Sequence, residues 1–121
     1  MYLDANEKKL FQTSNGAIAE IENLDNFDYG LTTVQIDNTG SGGMNFSTNT
    51  SNSQKITDKT IRITPTNSNS SGNVKITLFY TSTELSGWKS ATGWGATDRS
   101  LIKSPVSISS GTTGNTVEAS V

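Results

Sequence analysis

The chain has no cysteine and no histidine among its 121 residues. Without cysteine there are no disulfides, no thiolate nucleophile and no thiolate metal site. Without histidine there is no Ser-His-Asp triad, no imidazole base and no zinc site of the usual kind. Apolar residues are sparse at 31%, and no stretch approaches the eighteen consecutive apolar residues that span a bilayer. The opening Met1-Tyr-Leu-Asp lacks the basic start and apolar block of a signal peptide. Nine basic residues are scattered rather than gathered into a stripe, and the net charge is −2. Neither nucleic acid nor membrane insertion is therefore expected.

What the chain has in abundance is serine, threonine and asparagine, 47 residues together. These side chains bond to nearby backbone and favour turns over helix interiors. The length suits one domain with one core. The apolar residues fall in alternating clusters, so a period of two organises the chain.

The clearest alternation lies in residues 59–91. Ile61 and Ile63 oppose Arg62 and Thr64, and after a polar loop Val74, Ile76, Leu78 and Tyr80 oppose Lys75, Thr77 and Phe79. Two half-buried strands are predicted, with local cover where Phe79 interrupts the polar face. Thr81 and Glu84 have capping-box spacing, so a short helix is predicted near 82–91. Leu85, Trp88 and Ala91 share one of its faces, and Gly93 is placed to end it. Core packing is the expected role of Trp88.

Elsewhere, Asn15-Gly16 between apolar runs predicts a hairpin over 10–22, since both positions tolerate positive φ. Residues 1–7 read as a lead-in. Residues 31–37 predict a strand with Val34 and Ile36 inward. A glycine-rich turn follows at 38–43, then a short strand with Met44 and Phe46. Leu101 and Ile102 predict another strand, which Pro105 interrupts. The pattern predicts an all-β, antiparallel sandwich of about seven strands, immunoglobulin-like or jelly-roll-like, over 1–108. Residues 109–121 read as a Ser/Thr/Gly-rich tail or linker.

No motif pairs two of the eleven carboxylates for acid–base work, so no enzyme activity is expected. Asn23, Asp25 and Asp28 crowd one loop and are the candidate calcium ligands, because calcium prefers several hard oxygens. The competing reading is that these side chains brace turns. Tyr29 in the same loop and Trp94 between two glycines are the candidate platforms for a sugar ring.

Several segments together resemble a known group. They are Asn15-Gly-Ala-Ile-Ala-Glu-Ile21, Asp28-Tyr-Gly-Leu-Thr-Thr-Val-Gln-Ile-Asp37, Asp58-Lys-Thr-Ile-Arg-Ile-Thr-Pro-Thr-Asn67, Ser71-Gly-Asn-Val-Lys-Ile-Thr-Leu-Phe-Tyr-Thr-Ser-Thr-Glu-Leu-Ser-Gly-Trp-Lys-Ser-Ala-Thr-Gly93 and Ile102-Lys-Ser-Pro105. The set resembles the β-sandwich modules of large secreted and cell-surface proteins of Bacteroidetes exported by type IX secretion. The resemblance implies a non-catalytic extracellular module that supports structure or adhesion. Its implied partners are neighbouring domains of one polypeptide, and the chain is expected to be a monomeric fragment of a longer protein. The alternative is a carbohydrate-binding module whose partners are surface glycans.

Overall fold

The computed structural model describes residues 1–45, 55–93, 101–104 and 117–119. Ten strands and one helix occur among them: β1 (Tyr2–Leu3), β2 (Lys8–Thr13), β3 (Gly16–Asn23), β4 (Gly30–Asn38), β5 (Gly43–Asn45), β6 (Lys55–Thr57), β7 (Thr60–Pro65), β8 (Val74–Leu78), α1 (Ser82–Thr92), β9 (Leu101–Lys103) and β10 (Val117–Ala119). The all-β class and the single short helix agree with the alternation in the sequence. Contacts resolve two compact units, each discontinuous in sequence. The described residues of 38–60 cluster with those from Thr81 onward. Among the described residues no helix is long and apolar enough to cross a membrane.

The first unit comprises Met1–Asp37 and Ile61–Tyr80. It holds two three-stranded sheets, ordered β1-β4-β7 and β2-β3-β8. Leu3, Phe11, Ile21 and Tyr29 form its buried core, with Phe27, Val34, Ile63 and Ile76 packed against them. Both sheets contribute to this one cluster, which is the arrangement of a β-sandwich. Burying each large apolar side chain contributes about 1.5–3 kcal/mol.

The predicted hairpin is present, with two differences. Its turn centres on Ser14 and Asn15, and only Gly16 takes positive φ, at 119°. The register also shifts between Phe11 and Gln12, which pair with Ala19 and Ala17. The residue between, Ile18, is extra on its strand. That bulge lets Ile18 and Ala19 both be buried, which strict alternation forbids. Phe79 remains 37% exposed, so the expected local cover is incomplete.

The predicted lead-in is partly a strand. Tyr2 and Leu3 pair antiparallel with Leu31 and Gly30, and Leu3 is only 2% exposed. A two-residue strand carries too little sequence for a period to show.

In the second unit β5 pairs with β6, and β9 with β10. The strand at Val117–Ala119 lies inside the segment read as a linker. Helix α1 follows its predicted caps closely. The Thr81 hydroxyl accepts from the Glu84 N–H at 3.1 Å, and Glu84 Oε2 accepts from the Thr81 N–H at 2.8 Å. Gly93 closes the helix in the left-handed conformation, its N–H donating to Lys89 O at 2.7 Å. Trp88 is buried as expected. Gly87 packs so closely on Ser41 that a Cβ there would overlap the Ser41 carbonyl.

Glu84 has a second partner that the sequence did not reveal. Lys59 is buried, and its Nζ lies 3.1 Å from Glu84 Oε2. Desolvation acts to raise the Glu84 carboxyl, but the Thr81 N–H and the Lys59 ammonium outweigh it and hold it below its ordinary value of 4.5. A depressed carboxyl stabilises the fold above its unfolded-state value, and that contribution is lost as pH falls through the folded-state value. Glu84→Gln is therefore expected to lower stability at pH 7 by about 1–3 kcal/mol, through a weaker cap and the loss of its ion pair with the buried Lys59. The gap between the two proteins in urea midpoint should narrow from pH 7 to pH 3. An unchanged gap would show that the carboxylate charge does not stabilise this unit.

Candidate functional site

Asn23, Asp25, Asp28 and Tyr29, four of the residues singled out for ligand chemistry, lie in the loop at 23–30, between β3 and β4 in the first unit. Asn23 ends β3 on the core face and is 2% exposed. A buried carboxamide must satisfy its donors and acceptor within the protein. Its Nδ2 donates to Asp4 O at 2.8 Å and to Phe27 O at 2.7 Å. Its Oδ1 accepts from the Asp25 N–H at 3.1 Å. One side chain thus joins the β1–β2 turn to both sides of its own loop.

The two aspartates complete this bracing. Asp28 Oδ1 accepts from the Gly30 N–H at 2.7 Å, which turns the chain into β4. Asp25 Oδ2 accepts from the Asn73 N–H, and the Leu24 N–H donates to Asn73 O at 3.1 Å. Asn67 reaches in from the β7–β8 loop, its Nδ2 donating to Asp28 O at 3.0 Å. The β1–β2 turn is tied from the other side. Asn6 adopts left-handed φ of 57°, a conformation asparagine tolerates, and its N–H donates to Asp25 O at 3.1 Å. Glu7 closes that turn by accepting from the Asp4 N–H at 3.1 Å. This bond and the nearby Lys9 hold the Glu7 carboxyl below its ordinary value.

The acidic loop is therefore a junction of turns, the bracing alternative raised by its sequence. Asn23, Asp25 and Asp28 direct their bonded oxygens at three different backbone N–H groups rather than at a common point. Among the described residues no three acidic side chains come close enough together to hold a metal ion.

Tyr29 requires a correction. Named as a sugar platform from its place in a polar loop, it is 8% exposed and belongs to the core. Its ring meets Phe27 edge-on at 4.9 Å, and its hydroxyl abuts Gly72, where a side chain would overlap it. The cause is the course of the backbone. The Tyr29 N–H donates to Leu3 O at 3.1 Å and its carbonyl accepts from the Asn67 N–H at 3.0 Å, which turns the ring inward between the sheets. Trp94, the other candidate platform, lies outside the described residues. The sequence reading missed Asn67 and Asn73 as partners of this loop. They lie more than 35 residues away, and no local pattern marks them.

Comparison of the chain with known protein families, with curated proteins and with solved structures finds no match.

Three outcomes follow from this geometry. Asn23→Leu fills the space but strips partners from Asp4 O, Phe27 O and Asp25 N–H, at a cost of about 2–4 kcal/mol. Asn23→Asp places a carboxylate against two carbonyls, so it should be less stable still at pH 7 and recover partly on acidification, as the acid regains a donor. Urea denaturation at pH 7 and pH 5 checks both. Calcium at about a thousand times a micromolar Kd would stabilise a real site by about 4 kcal/mol. Here millimolar calcium is expected to leave the melting temperature unmoved.

Proposed function

We propose that this chain is a non-catalytic, all-β structural module that supports adhesion or spacing within a larger secreted or cell-surface protein. One observation carries the reading: the stretch richest in acids and amides is built as a brace. Asn23, Asp25 and Asn67 each hold a backbone group of another turn, and Asp28 holds the Gly30 N–H of its own loop. Other carboxylates of the described residues also act on the fold. Asp37 pairs with Arg62 at 2.8 Å, Asp58 accepts from the Gly42 N–H at 3.1 Å, and Glu84 caps α1. Such carboxylates fix strands and turns in place, which suits a structural or spacing role.

The secreted or surface location rests on the resemblance of the segments quoted above, and with it the expectation that the partners are neighbouring domains. The carbohydrate-binding alternative loses Tyr29 and now depends on Trp94. A glycan array read alongside a peptide and glycan hydrolysis screen separates the readings. The structural module predicts neither turnover nor glycan capture. Hydrolysis that a single Asp or Glu substitution abolishes would overturn it in favour of an enzyme. Glycan binding lost in Trp94→Ala would overturn it in favour of the sugar-binding module.

A further inference from the structure

Among the described residues, the edge of β4 opposite β7 has a strand partner only at its start. β1 covers only its start: the Thr32 N–H donates to Met1 O at 2.8 Å, and the Met1 amino group donates to Thr32 O at 3.1 Å. Thr32 therefore turns its backbone groups toward this edge. In a strand this orientation repeats every second residue, so the N–H and C=O of Val34 and Ile36 face the same way. The intervening residues face β7, as the bond from the Thr66 N–H to Leu31 O shows at 3.0 Å. Among the described residues no strand pairs with β4 beyond β1 on this side.

Sheet edges are usually guarded by charge, proline or a bulge. The other long edges of the first unit follow that rule. β2 carries Lys8, Lys9 and the register shift after Phe11; β8 carries Lys75; β7 carries Arg62 and Pro65. The free run of β4 reads Thr33-Val-Gln-Ile-Asp37, with no proline and no lysine. Its single charge, Asp37, is already paired with Arg62. Ile36 lies at this edge on the core-facing side of β4 and is 36% exposed.

We propose that this edge pairs antiparallel with the same edge of a second copy of the chain, joining two β1-β4-β7 sheets into one. The edge is self-complementary about Ile36. In that register Ile36 faces Ile36 of the second copy, covering both exposed side chains. Gln35 faces Asp37 on each side of the axis, an amide against a carboxylate with no like charges opposed. The contact is isologous and closes at two copies. It departs from the monomer expected from the sequence and goes beyond the structural role proposed above. With only about five residues on each side it lies well below a standard interface, so association is weak, with a Kd of about 10 μM to 1 mM.

Ile36→Pro tests this directly. It removes an N–H that faces the open edge and leaves the bonds to β7 intact, a placement that strands tolerate. Ile36→Lys keeps the N–H but sets two like charges across the axis, and it carries the test should the proline variant fail to fold by circular dichroism. Sedimentation equilibrium from about 10 μM to 1 mM should show the native mass rising from 12.9 kDa toward twice that value, while both variants stay at 12.9 kDa. Amide exchange at Val34 and Ile36 should slow about tenfold over the same range. A native chain that stays at 12.9 kDa throughout overturns the proposal. So does association that both folded variants retain, because the contact would then lie on another surface.

Discussion

The first unit depends on the requirement that the buried carboxamide of Asn23 find partners for both ends. It does so by holding Asp4 O, Phe27 O and the Asp25 N–H at once. Those three groups belong to the turn before β2 and to the crossing from one sheet to the other. With them fixed, Leu3 is held at the edge of β4 and the backbone enters β4 with Tyr29 directed inward. Apolar packing supplies the larger free energy, but it is indifferent to direction. The polar junction determines which residues reach the core.

A different balance operates in the second unit. Lys59 is too buried to be left alone, and Glu84 serves it while also capping α1. The pair is a local solution, because the same carboxylate oxygen meets the helix start and the ammonium. Removing either partner would leave the other poorly solvated, so the coupling of the two residues exceeds that of an exposed pair such as Lys8 and Glu20.

Features written in consecutive residues were legible. The hairpin, the alternation of β4, β7 and β8, and both caps of α1 all rest on patterns a few residues long. Features that depend on distant partners were not. Leu3 reads as part of an unstructured start until β4 is beside it. Ile18 and Ala19 defeat alternation because the bulge is a property of the pair of strands. Tyr29 sits in a polar loop whose sequence suggests exposure, while bonds to Leu3 and Asn67 turn it inward. The candidate site was legible as a cluster of acids and amides, and its bracing role was one of two readings. Only the bond directions distinguish bracing from ligand binding. Val117–Ala119 shows the same limit, since its composition is that of a linker and its pairing with β9 is nonlocal.

The junction around Asn23 also orders events in time. Its outermost ties reach from Asp25 to Asn73 and from Asp28 to Asn67, spans of 48 and 39 residues. Closing such long loops costs entropy before the contacts they bring offset it, which slows folding relative to a chain held by local contacts. On a ribosome, the β2–β3 hairpin would emerge early and wait, its apolar face open, until residue 73 had cleared the exit tunnel.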